Sequence, residues 1–206
     1  MQNGEKSLTA SQAEAKYEVA YKDPVYHQAS IGLAYLRWVL KNAQFNTVLD
    51  VGCGCGYSVC ALMVEGKKVK GIEVCQQLLD TSLESYRVVG VVTKGRIQQI
   101  PYIAEAFDLV YCAEVLEHLI EEDVHQAIGE LVRVSKKYVF VTVCFVPDSA
   151  IPGLHLHETV KNEEWWDAEF AKFRIRKVKG EPTAEFNGTQ MKVRRTNGKA
   201  YLFVKY

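Results

Sequence analysis

The sequence predicts an α/β protein whose doubly wound, mostly parallel sheet ends in an antiparallel strand. Three observations carry this. From Thr47 to Val146, short and nearly continuous apolar runs alternate with amphipathic stretches, as strands buried on both faces alternate with the helices that cover them. The first run ends in a carboxylate and breaks into alternating glycines, Asp50-Val51-Gly52-Cys53-Gly54-Cys55-Gly56, the pattern of a tight strand-to-helix turn on which a ligand can lie against bare backbone. Near the C-terminus, Asn197-Gly198 stands between Met191–Arg195 and Ala200–Tyr206, a hairpin signal that makes the last strand antiparallel.

The elements follow in order. Residues 1–12 are polar and small, and a helix is expected near Ala13–Ala20, interrupted at Asp23-Pro24. A second helix is expected over Tyr26–Lys41, with Ile31, Leu33, Ala34, Leu36, Val39 and Leu40 on its apolar face. Strand Thr47–Val51 then leads through the glycine turn into helix Tyr57–Glu65, which Gly66 stops. Lys68–Val74 reads as the second strand and Gln76–Val88 as a helix carrying Leu78, Leu79, Leu83 and Tyr86. Gly95–Ile100 is expected as a short third strand and Phe107–Cys112 as the fourth. Helix Asp123–Val134 and strand Tyr138–Val146 follow. Pro147–Val160 is long enough for a functional loop and carries His155 and His157. Asn162 caps a helix through Trp166 and Phe170, and Phe173–Val178 is a sixth strand.

Composition sets the limits. With 206 residues and 48% apolar content, the chain is expected to form one domain over 1–206, a helical extension over 1–45 and a core over 46–206. Lys plus Arg equals Asp plus Glu at 25 each, so no global charge argues for nucleic acid or membrane. From Lys172 onward, however, ten basic residues face only Glu181 and Glu185. They read as solvated strand edges, with a phosphate-tracking surface as the alternative. Six cysteines at 53, 55, 60, 75, 112 and 144 read as reduced, buried residues of a cytoplasmic protein, without the pairs of a zinc site. The polar start carries no apolar run of signal-peptide length, and no membrane span is expected.

Spacing separates the nucleotide motifs. A P-loop would need Lys and Ser or Thr after its last glycine, and the dinucleotide fingerprint counted from Gly52 would place its third glycine at Tyr57. What remains is D-x-G-x-G-x-G, followed by Glu73 at the end of the next apolar run. This resembles the class I S-adenosylmethionine-dependent methyltransferases. The resemblance implies a Rossmann-like, seven-stranded sheet and S-adenosylmethionine as cofactor, with S-adenosylhomocysteine as product. It implies that Asp50 organises the methionine amino group, that the backbone of Gly52, Cys53, Gly54 and Gly56 cradles the chain, and that Glu73 binds the ribose hydroxyls beside Val74. Ile97 would pack on the adenine, Cys112 and Ala113 would reach the cofactor edge, and Tyr21 would belong to an N-terminal segment folded over the cofactor. Arg96 departs from the pattern, standing where relatives carry an acid, and is expected to be dispensable.

Glu114-Val115-Leu116-Glu117-His118 comes next. If helical, it would place Glu114, Glu117 and His118 on one face. E-V-L-E-H resembles small-molecule methyltransferases that use no metal, whereas E-x-x-E-H with a later histidine resembles the divalent-ion site of Hen-type small-RNA 2′-O-methyltransferases. The Thr-Pro-Asn expected there after the fifth strand is replaced by Val146-Pro147-Asp148. The expectation is therefore methyl transfer to a small-molecule or sugar-like acceptor at oxygen, by a monomer or weak dimer. His118, His155 and His157 are the candidate proton acceptors, and no metal is expected. The alternatives are a metal-dependent RNA enzyme with Glu114, Glu117, His118 and His157 as ligands, and a catalytically silent cofactor-binding domain.

Overall fold

The structure, a computed structural model, describes residues 9–23, 31–148, 151–186, 189–191 and 197–206. The glycine turn follows β1 (Thr47–Val51), which pairs in parallel with β2 (Lys68–Glu73) on one side and β4 (Phe107–Ala113) on the other. β3 (Val92–Lys94) extends the sheet beyond β2, and β5 (Ser135–Cys144) extends it beyond β4, both in parallel. β6 (Ile175–Lys177) forms the far edge, and β9 (Gly198–Lys205) lies between it and β5, antiparallel to both. The seven-stranded order is β3-β2-β1-β4-β5-β9-β6, the expected mostly parallel sheet with an antiparallel C-terminal strand. The chain winds outward to β3 and then returns to β4, so the order reverses between β1 and β4. In such sheets the crevice beyond the strand ends at that reversal takes the ligand.

Alternation along the strands divides the core. Leu49, Val51, Val110, Cys112, Val139 and Val141 face α6 (Glu121–Val134) and α7 (Glu163–Phe170), where Trp166 and Phe170 are buried. Val48, Leu109, Tyr111 and Phe140 face α2 (Ile31–Asn42) and α3 (Tyr57–Val64). α1 (Ala10–Ala20) begins at a capping box formed by Thr9 and Gln12.

Three expectations are corrected. The stretch expected as one helix over 76–88 is broken into α4 (Gln76–Asp80) and α5 (Glu84–Val88). Thr81 turns its hydroxyl back to the Gln77 carbonyl at 2.7 Å, a bond that disfavours continuation of a helix, and Leu83 N donates to Leu78 O instead. The third strand is Val92–Lys94 rather than Gly95–Ile100, because β2 ends at Glu73 and the ladder stops at Glu73↔Lys94. That frees Gly95–Gln98 to line a cavity. The hairpin read at Asn197-Gly198 has most of its first arm outside the described residues; β9 pairs with β5 and β6, and β7 (Ala184–Phe186) pairs with β8 (Thr189–Met191). Cys60 is exposed, not buried, while Cys53, Cys75 and Cys112 are buried. Pro24 and Tyr26 lie outside the described residues.

Candidate active site

The turn after β1 is built from left-handed backbone at Gly52, Gly54 and Gly56, with φ of 67°, 53° and 81°. A Cβ on Gly52 would lie 2.6 Å from Val115 Cγ2, and one on Gly54 would lie 3.3 Å from the Tyr21 hydroxyl. The glycines therefore answer both conformation and contact. Glu73, at the end of β2, accepts the Gly54 N–H on Oε2 and the Val74 and Cys75 N–H groups on Oε1, all at 2.9 Å. These amides hold the carboxylate against the glycine turn and leave about one of its roughly four lone-pair sites for a ligand.

Asp50 lies one strand over and is 3% exposed. Its Oδ2 is buried without a hydrogen-bond partner. Burial, and then the charge of Glu73, push its carboxyl up to about 7. Burial likewise raises Glu73, against the pull of its three amide bonds.

The cavity beside these groups is walled by Gly52, Glu73, Val74, Ile97 and Gln98 from the sheet end, by Tyr17 and Tyr21 from the N-terminal segment, and by Glu114 and His118 from the turn after β4. Tyr21, Val74 and Ile97 all line this cavity. Asp123, at the start of α6, also lines it and accepts from the Gln98 side chain at 3.0 Å; nothing in the local sequence marks it. Cys112 is a correction: its side chain is buried in the core facing α6, on the strand face turned away from α2. Ala113 also faces elsewhere, packing where a Cβ on Gly32 would touch it.

The turn after β4 does not meet the helical condition under which Glu114, Glu117 and His118 would share a face. Glu114 adopts a left-handed φ of 57°, and only Leu116–His118 form a single 3-10 turn. Glu114 is held by Thr142, whose hydroxyl donates to Glu114 Oε1 at 2.6 Å and accepts the Glu114 N–H at 3.0 Å. Glu117 instead turns inward and is 0% exposed. Its Oε1 accepts the Cys144 N–H at 2.9 Å, and its Oε2 has no partner. Burial, then Glu114, push the Glu117 carboxyl well above the usual range.

His157 reaches this place from the loop after β5. The His118 and His157 rings meet edge to face, with centroids 4.6 Å apart. His118 Nδ1 lies 3.2 Å from Leu156 O, and His157 Nδ1 lies 2.7 Å from Val146 O, so each ring donates Nδ1–H to a carbonyl and carries its lone pair on Nε2. Burial, then His157, bring His118 down to about 3. His155 is exposed and only its carbonyl is used, by Lys16. The structure thus joins Glu117, His118 and His157 and leaves Glu114 and His155 out.

A family profile described as a methyltransferase domain matches residues 49–141. The ubiquinone biosynthesis O-methyltransferase of Photobacterium profundum is 27% identical over 113 residues, 47% of this chain and 48% of its own length; the match spans about half of such curated relatives. Among solved structures, a SAM dependent methyltransferase from Aquifex aeolicus aligns with a TM-score of 0.59 at 20% identity, over 97% of this chain and 100% of that one. Magnesium protoporphyrin IX methyltransferase from Synechocystis, solved with bound SAH, aligns with a TM-score of 0.59 at 13% identity, over 98% of this chain and 90% of that one. At these identities the structural likenesses give the fold. The matched profile, spanning the glycine turn, Glu73 and β4, identifies residues 49–141 as a methyltransferase domain, and the fold shared with these structures is the class I, Rossmann-like one.

Proposed function

We propose that the protein transfers a methyl group from S-adenosylmethionine to an oxygen of a small-molecule or sugar-like acceptor. The residues present fit the cofactor. Asp50 offers a buried carboxylate oxygen without a donor, suited to an ammonium group. Gly52 leaves backbone where a side chain would collide, and Glu73 presents a carboxylate already aligned by three amides. The cofactor supplies a methyl group made electrophilic by its sulfonium. The protein then has to align an acceptor, exclude water and deal with one proton.

The observation that carries the oxygen reading is the Glu117–His118–His157 cluster. Its two imidazole lone pairs stand within reach of a buried carboxylate, and His118 also borders the cofactor cavity. A hydroxyl needs such help to become a nucleophile. His118 alone, held at about 3, is too weak a base near neutral pH, so activation belongs to the cluster as a unit. Relatives named for O-methylation at 27% identity support the same acceptor atom.

The test is a transfer assay with methyl-labelled cofactor, offered matched hydroxyl and amine acceptors. Labelled ethers, reduced at least tenfold in His118→Ala, are expected. Amine products alone would overturn the oxygen reading. Tight S-adenosylhomocysteine binding without labelling of any acceptor would favour a silent cofactor-binding domain.

A further inference from the structure

We propose that Lys16 is a positioning residue: through it, closure of α1 over the cofactor places the loop that orients His118 and His157 toward the acceptor. This role rests on the functional reading above, in which S-adenosylmethionine fills the cavity and the acceptor sits beside the two histidines.

α1 walls the cavity but is held by little apolar burial. Glu14, Tyr17 and Tyr21 line the cavity, and within the helix only Ala13 and Ala20 are buried. Two alanines bury too little apolar surface to fix a helix by themselves, so its place depends on polar ties and on what fills the space beneath it. Lys16 stands three residues after Ala13 and four before Ala20, on the helix face turned to the body of the protein, and its side chain is 22% exposed. Its ammonium group donates to the His155 carbonyl at 2.7 Å and pairs with Glu158 Oε1, 142 residues away in the chain.

His155 and Glu158 bracket the histidine loop. Between them, the Leu156 carbonyl lies 3.2 Å from His118 Nδ1 and orients that ring, and His157 Nδ1 lies 2.7 Å from Val146 O. Beyond them, the Glu158 and Thr159 N–H groups donate to the Glu117 carbonyl, both at 2.9 Å, and the Thr159 hydroxyl donates to Leu119 O at 2.6 Å. Tyr17, the neighbour of Lys16, lies against His118 with ring centroids 5.5 Å apart. One turn of α1 therefore touches His118 directly and holds the loop that carries His157. A cofactor that fills the cavity and fixes α1 would fix Lys16, and with it residues 155–158. By linkage, an acceptor seated on the histidines would tighten the cofactor by the same factor. Lys16 itself lies outside the cavity lining and acts through the loop.

The experiment follows amide hydrogen exchange in the full chain with and without saturating S-adenosylhomocysteine, whose binding is verified by calorimetry. The Glu158 and Thr159 amides are the reporters, because their bonds to Glu117 open only when the loop does. In the wild type the ligand is expected to slow them at least about fivefold. In Lys16→Met the ligand should still slow α1, while its effect at Glu158 and Thr159 disappears and their unliganded rates stay unchanged. Lys16→Arg should restore the effect. Glu158→Gln, which weakens the same tie from the loop side and leaves the bond to the His155 carbonyl, should fall between. Equal slowing of Glu158 and Thr159 in Lys16→Met and wild type would overturn the role, as would a variant loop that opens faster by the same factor in both states, the mark of a purely structural tie. Slowing confined to α1 in the wild type would also overturn it and leave the cofactor reading standing. No calorimetric binding by the wild type would overturn the cofactor reading itself, and the coupling with it.

Discussion

Arg96, on the turn after β3, clasps Glu14 of α1. Its Nε donates to Glu14 Oε2 at 2.8 Å, and its Nη2 reaches the same oxygen and Ser11 Oγ, the latter at 3.1 Å. Further along α1, Lys16 pairs with Glu158, and Glu18 accepts the Gln76 and Gln77 amides at 2.7 and 3.3 Å. α1 is thereby strapped across the cavity at three places. The sequence reading of Arg96 as dispensable took no account of this, because Glu14 is 82 residues away.

Reversing the charge should loosen the strap. Arg96→Asp would face Glu14 with a like charge. With the arginine side chain 46% exposed, the pair is worth no more than about 1 kcal/mol. S-adenosylhomocysteine affinity is expected to fall roughly fivefold, with faster amide exchange in α1, and Arg96→Gln should fall between. Unchanged or improved affinity by calorimetry would show that the strap does not support cofactor binding.

Gly52 tests the cradle. An alanine there has to hold a φ of 67° with its Cβ 2.6 Å from Val115 Cγ2, whereas Gly66→Ala meets the same backbone problem, φ 73°, with nothing within 4 Å. Gly66→Ala should lose only the left-handed term, about 1–2 kcal/mol. Gly52→Ala should lose that plus the displacement of Val115, and with it at least tenfold in cofactor affinity. Equal melting shifts and equal affinities in the two variants would contradict the close-approach account.

The contrast between these sites explains what the sequence could and could not disclose. The glycine turn, Asp50 and Glu73 are local signals: an apolar run, a carboxylate and the need for positive φ all fall within a few residues. β1, β2 and β4 were legible for the same reason. The third strand was misplaced at Gly95–Ile100 because only its ladder with β2, which stops at Glu73↔Lys94, fixes where it lies. Glu117 was grouped with Glu114 by helical spacing; the left-handed φ at Glu114 removes that helix. His157 could be told from His155 only by the loop's anchors on Glu117.

Asp50 gives the protein a defined pH dependence. The unfolded chain loses this proton near the ordinary value of 3.8 and the folded chain near 7, so between those values the folded state holds more protons and stability falls as pH rises. For this buried group the full swing is about 4 kcal/mol. Asp50→Asn should remove that slope and melt higher than wild type at pH 8. An ammonium-bearing ligand favours the ionised carboxylate, so S-adenosylhomocysteine affinity should rise from pH 6 to 8 in the wild type and stay flat, and weaker, in Asp50→Asn. A pH-independent wild-type affinity over that range would place the amino group elsewhere.

The last prediction concerns nucleic acid, the alternative suggested by the basic C-terminal third. Lys192, Arg194 and Arg195 lie outside the described residues. Of the other basic residues, Lys172 pairs with Glu169, Lys177 with Asp167, Lys199 with Glu163 and Lys205 with Glu105. Lys177 and Lys199 also stand over the Tyr201 ring, each 5.1 Å from its centroid. A phosphate would have to displace these acids to use those four lysines, and the chain carries no net positive charge to draw it in. Binding that neutralises several phosphates would weaken steeply with salt, by nearly one power of concentration per contact, about 0.7 on single strands. Short RNA is therefore expected neither to accept label nor to compete with a small hydroxyl acceptor at physiological salt, and the slope of log affinity against log salt should stay near zero. Salt-sensitive labelling of RNA ends, lost in Glu117→Gln and His157→Ala, would transfer the acceptor assignment from small molecules to RNA.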